Sequence, residues 1–119
     1  MTIREAIDRV DNLLFNTYTD AEKVAWLSRL DERVALLVLG TGSAGGPWYS
    51  EGTNMDTELL IQEPFSEVYI HWLMAQINYA NGEIDKYNNA IAVYNAEYTG
   101  YAEWYHRNNR SRSPGNWVM

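Results

Sequence analysis

Apolar residues recur along the first third of the chain at helical spacing. Ile3, Ala6, Ile7, Val10, Leu13 and Leu14 form a stripe that predicts a surface helix of about three turns. Thr2-Ile3-Arg4-Glu5 supplies its start, because a threonine followed three residues later by glutamate can satisfy two free amides reciprocally. Asn12 to Tyr18 close that helix and form a loop. The same device recurs at Thr19-Asp20-Ala21-Glu22, and Val24, Leu27, Leu30, Val34 and Leu37 continue it as a second helix. Lys23, Arg29, Asp31, Glu32 and Arg33 are read as its polar side, while Trp26 stands off the stripe and is expected to meet another element. From Ala35 to Leu39 the apolar residues become continuous, which fits either a helix end buried all round or a short strand, with the helix favoured.

Gly40 to Pro47 holds four of the eight glycines and predicts a connector. A phosphate-binding loop needs Lys followed by Ser or Thr at the start of a helix, and Pro47-Trp48-Tyr49 stands there instead. Trp48 and Tyr49 are expected to pack on the body of the protein or on a neighbouring chain. Asn54 to Ile61 reads as a short extended segment, and Pro64 as the first residue of a third helix. Phe65, Val68, Tyr69, Trp72, Leu73, Gln76, Ile77 and Ala80 make one face of that helix, which stops or kinks at Asn81-Gly82.

Ile84, Tyr87, Ile91, Tyr94, Tyr98, Tyr101 and Tyr105 then follow at intervals of 3, 4, 3, 4, 3 and 4, a narrow aromatic seam along a helix of about six turns. Tyrosine rings have apolar bodies and polar tips, so Tyr87, Ile91, Tyr94, Tyr98, Tyr101 and Tyr105 are a candidate subunit interface; a core seam is the alternative. The elements together predict an all-α protein, a small bundle of about four helices with a long C-terminal helix. Residues 1–105 form its single domain, with a loop over 40–55, and residues 106–119 form a flexible basic tail.

The 119 residues suit one domain. Six cations against sixteen acids give residues 1–105 a net charge of -10, while the tail carries +3, which argues against a surface built to grip nucleic-acid phosphates. The absence of cysteine excludes disulfides and thiolate metal sites. His71 and His106 are the only histidines, and Glu103-His106 is a single Glu-x-x-His where a bundle di-metal site needs two. No metal or other cofactor is expected. His71 reads as a partly buried histidine with one hydrogen bond. The carboxylates, Asp31 among them, read as solvated helix-face charges, so the chain is not expected to be an enzyme. The longest apolar run, Val34 to Leu39, falls short of a membrane span of about 20 residues, and the start has no signal-peptide stretch, so an intracellular, water-soluble product is expected.

Asp56-Thr57-Glu58-Leu59-Leu60, Glu63-Pro64-Phe65-Ser66-Glu67-Val68-Tyr69, Trp72-Leu73, Gln76-Ile77-Asn78-Tyr79-Ala80-Asn81-Gly82-Glu83 and Tyr87-Asn88-Asn89 resemble the head-tail connector (adaptor) proteins of tailed phages and prophages. Thr2 to Asp8, Lys23 to Ser28 and Asp31 are similar to the same group. The resemblance covers the chain apart from the Gly40 to Thr53 loop and the tail beyond Arg107. It implies a helical subunit of a ring of about a dozen copies beneath the portal. The implied role is structural: the ring extends the DNA channel and presents a platform to neck or tail-completion proteins. DNA passes through without specific binding. The place implied is the virion neck, reached from the bacterial host cytoplasm during assembly. The family's C-terminal segment often contacts the portal, so Arg107, Arg110, Arg112 and Trp117 become candidate portal-docking residues. A small acidic helical regulator or adaptor binding a single host protein, including a DNA mimic, is the competing reading.

Overall fold

Two threonine caps set the first half of the fold. Thr2 Oγ1 accepts from the Glu5 amide at 3.1 Å while Glu5 returns a carboxylate oxygen to the Thr2 amide at 2.8 Å, and α1 runs over Ile3–Leu13. Thr19 and Glu22 repeat the exchange at 3.1 and 2.9 Å to start α2, Asp20–Leu37. The chain is described by a computed structural model over residues 1–40 and 48–109, so most of the glycine-rich connector and the tail from residue 110 lie outside the described residues. Then follow α3, Glu67–Ala80, and α4, Ile84–Asn109. The all-α class and the long C-terminal helix are thus as expected.

The contacts orient the bundle. Tyr18 Oη donates to Asn81 Oδ1 at 2.7 Å, Trp72 Nε1 donates to the Trp26 carbonyl at 2.7 Å, and Tyr69 reaches Asp31, so α2 runs antiparallel to α3. Phe65 packs on Tyr101 and Trp104 with ring centroids 5.6 and 5.0 Å apart, and Trp72 on Tyr94 at 5.0 Å, so α4 returns antiparallel along α3. Arg9 is paired with Glu67, and Leu14 lies by Met74 and Asn78, which sets α1 parallel to α3. The α3–α4 turn is tight, with Gly82 at φ 74, a left-handed conformation in which a Cβ is strained.

Four local expectations are corrected. Pro64 does not begin α3; it follows a cis peptide in a turn closed by the Phe65 amide on the Gln62 carbonyl at 2.9 Å, and the helix starts after Ser66. Asn54 to Ile61 makes no strand, only a single antiparallel bridge between Thr2 and Glu58. Its carbonyls instead accept the free amides at the start of α1, Ile3 onto Thr57 at 3.0 Å and Arg4 onto Met55 at 2.9 Å. The end of α2 stays helical to Leu37, as favoured, but it is not buried all round. Leu36 and Leu37 are exposed and Val38 takes the inward position one turn after Val34. Lastly, α4 continues four residues past the boundary read at 105, through His106 to Asn109.

The core combines Ile3, Ile7 and Val10 of α1, Val24, Leu27, Leu30 and Val34 of α2, and Val68, Tyr69, Leu73 and Ile77 of α3. From α4 it takes Tyr94 and Tyr101, which are 3 % and 1 % exposed. The 3-4 spacing of the seam therefore serves α3 within one chain at those two positions; Tyr87, Ile91, Tyr98 and Tyr105 are half-buried and Ile84 is exposed. Tyr94→Asp is accordingly expected to abolish cooperative folding, read by far-UV circular dichroism. Tyr101→Ala should lose about 3–5 kcal/mol, the range for removing a large buried aromatic ring, in chemical denaturation. A Tyr94→Asp chain that stayed helical and monomeric would instead return that ring to a contact between subunits.

Candidate functional site

The densest polar chemistry in the described residues centres on Asp31, which is fully buried on the inner face of α2. The sequence expectation of a solvated charge is wrong here. Asp31 follows Leu27 by four positions and precedes Val34 by three, so it occupies the apolar stripe itself. Its Oδ1 accepts from the Tyr69 hydroxyl at 2.5 Å, and its Oδ2 accepts from the Tyr49 hydroxyl at 2.5 Å and the Leu60 amide at 3.0 Å. Tyr69 Oη in turn accepts from the Ile61 amide at 2.7 Å. One turn earlier on α2, Ser28 Oγ accepts from the amides of Trp48 and Tyr49 at 2.7 and 3.0 Å. Trp48 and Tyr49 do pack on the body, as expected.

Burial pushes the Asp31 carboxyl up, because the charged form loses its hydration, while the two hydroxyls and the amide pull it back. The same burial raises both tyrosines, Tyr69 well above its ordinary value, and the adjacent carboxylate adds to it. Tyr101 is pushed up to about 12, first by burial and then by neighbouring phenols and Asp31. These shifts come from a closed structural clasp. Among the described residues the donors aimed at Asp31 are the Tyr49 and Tyr69 hydroxyls and the Leu60 amide, and Asp31 has no exposed surface.

A second pair lies nearer the surface. His71 Nδ1 and Glu97 Oε1 stand 2.8 Å apart, joining α3 to α4, with His71 partly buried and held by one hydrogen bond as its sequence context suggested. His106 is exposed on the last turns of α4. Among the described residues no group of three or more His, Asp or Glu side chains could hold a metal ion. Leu14, His71, Met74, Ala90 and Val93 line an open groove of about 370 Å³ between the end of α1 and the α3–α4 pair. Buried Lys23 is paired with Asp11 at 2.7 Å, which links α2 to α1 and corrects its placement on the polar side.

Of the docking candidates, Arg107 is exposed near the end of α4, and Arg110, Arg112 and Trp117 lie outside the described residues. Of the candidate interface, Tyr94 and Tyr101 have no surface to offer a second chain. Tyr94 Oη accepts from Arg33 at 3.2 Å, and the Arg33 guanidinium stands 5.5 Å over the Trp72 ring. No described helix is long and apolar enough to cross a membrane. No family model, curated protein or solved structure matches the chain.

Two outcomes test the clasp. Tyr69→Phe leaves the Ile61 amide buried without its acceptor and removes one donor from Asp31, so it should cost about 1–3 kcal/mol in urea denaturation. The pH dependence has a definite sign. Asp31 binds a proton more readily folded than unfolded, so its contribution falls as pH rises from the ordinary carboxylate value through the raised one. The stability of the wild type minus that of Asp31→Asn should therefore decline with pH across that window. A difference that rises with pH would reverse the assignment.

Proposed function

We propose that this chain is a structural assembly subunit, a head-tail connector of a tailed phage or prophage that forms a ring beneath the portal. The resemblance of residues 2–8, 23–28 and 31 and of the stretches quoted above within 56–89 to that family supports the reading. The observation that carries it is the set of large apolar side chains left in solvent at the ends of an otherwise closed helical bundle. Phe15 is 88 % exposed, Tyr79 64 % and Leu13 62 %. Isolated exposed apolar residues are ordinary, but several at one end of a small domain mark a surface that another protein covers.

On this reading the ring contacts draw on those end residues and on the half-buried edge of the seam, Tyr87, Ile91, Tyr98 and Tyr105, while Tyr94 and Tyr101 hold each subunit together. Arg107, with Arg110, Arg112 and Trp117 beyond it, docks on the portal. The net charge of -10 over residues 1–105 suits a channel wall, since phosphates are repelled rather than held. Action is by shape: the subunit extends the channel and offers a platform to a neck or tail-completion protein.

Native mass spectrometry of the protein, alone and with the portal protein of the same phage genome, tests this. A ring-sized species in either sample is the expected result. A monomer or dimer in both would overturn the connector reading and favour an acidic regulator that binds one host protein.

A further inference from the structure

We infer that the two ends of the bundle are docking faces for each other in successive copies of this chain, so that a cationic apolar patch on one copy covers an acidic apolar end on the next. The inference rests on the assembly reading above and specifies its contact. Along the exposed flank of α2 beside α4, Arg29, Arg33, Leu36 and Leu37 recur at intervals of four, three and one and line one shallow depression with Glu32. Leu36 and Leu37 are 52 % and 60 % exposed. Arg29 has no ion pair among the described residues. Two of the six cations in residues 1–105, Arg29 and an exposed Arg33 that also donates to Tyr94, thus flank two leucines left open among the described residues.

The opposite end has the other sign. Leu13 ends α1 and Phe15 follows it, and Tyr79 and Ile84 bracket the α3–α4 turn; all four are more than half exposed. The Tyr18 to Asn81 hydrogen bond brings these two segments to the same end. Glu83 and Asp85 flank Ile84, and Asp20 and Glu22 open α2 beside Tyr18. Lys23 and Lys86 are the cations there, each paired with one acid, Asp11 and Glu83. Asp85 is without an ion pair among the described residues.

Because α2 runs antiparallel to α3, Leu36 and Leu37 lie towards the Phe65 and Tyr101 end, away from Phe15 and Ile84. One chain cannot bring its own two patches together. Two unlike, complementary patches at opposite ends define a heterologous contact, which propagates from copy to copy and closes into a ring when its rotation permits. An isologous dimer would set cation against cation at one end or acid against acid at the other, a like-charge arrangement that is unfavourable.

Sedimentation velocity on two variants and their mixture tests the inference. Leu36→Asp with Leu37→Asp disables one end, and Phe15→Asp with Ile84→Asp the other, all at exposed positions. The wild type is expected to self-associate in a concentration-dependent way that weakens with added salt, and each variant to remain a monomer with unchanged far-UV circular dichroism. The equimolar mixture should give a one-to-one pair of twice the 13.7 kDa chain mass and nothing larger, because each variant keeps the end the other lacks. If an aspartate pair unfolds the chain, the corresponding glutamine pair replaces it. A wild type that stays monomeric at every concentration, a variant that assembles as the wild type does, or a mixture that fails to pair would each overturn the inference. Rings that form on the portal from both variants would leave the connector reading standing and remove this contact. Pairing of the variants beside a wild type that ignores the portal would do the reverse.

Discussion

The fold depends on the Asp31 carboxylate being surrounded by donors. An ionised carboxylate taken out of water loses several kcal/mol of hydration, and only a full set of hydrogen bonds offsets that loss. Tyr49, Tyr69 and the Leu60 amide supply the set, and each comes from a different part of the chain: the stretch after the glycine-rich connector, helix α3, and the turn that leads to it. Removing any one leaves a buried charge short of a partner, so the three segments are held on α2 together. Ser28 reinforces the arrangement by accepting both amides that enter it, those of Trp48 and Tyr49. The described residues 48–66 ahead of α3 carry neither helix nor strand, and the clasp on α2 and the amides of α1 fix their path.

Local chemistry explains what the sequence made legible. The two capping boxes are complete within four residues each, and a helix start so self-contained needs no tertiary information. The seam from Ile84 to Tyr105 likewise specified a long helix, since seven residues at alternating intervals of three and four admit no other regular element. Its partner was not legible. Periodicity marks the buried side of a helix without saying whether the cover is the same chain or another, and here Phe65 and Trp72 of the same chain meet Tyr101 and Tyr94.

The two misplaced charges share one cause, which is a polar residue on an apolar stripe. Asp31 and Lys23 were assigned to the solvated side by residue type, although Asp31 sits between Leu27 and Val34 in helical phase. Phase was the better guide than polarity, and the donors that make the burial tolerable come from 18 and 38 residues away, beyond the reach of any local pattern. Leu37 is the converse case. It lies three positions after Val34 and reads as core, but Val38 takes that position and leaves Leu37 in solvent. Such reversals concentrate where local and tertiary preferences compete, and Leu37, displaced in this way, joins exposed Leu36 in an apolar patch on α2.

The distribution of chemistry then constrains what the molecule does. Its buried titrating groups Asp31, Tyr49 and Tyr69 are consumed by one another inside the bundle, whereas the large apolar side chains exposed on the outside, Val93 of α4 apart, lie towards the ends. Between those ends, aromatic contacts tie α4 to α3 along most of the length of α3, from Tyr79 on Tyr87 through Trp72 on Tyr94 to Phe65 on Trp104. Interdigitated rings resist sliding, because a shift of one turn would leave cavities along the whole row. The separation and relative orientation of the two ends are therefore set by the core of each subunit. In the ring proposed above, that fixed geometry would set the angle between neighbours, so the buried tyrosines would shape the assembly without touching the next copy.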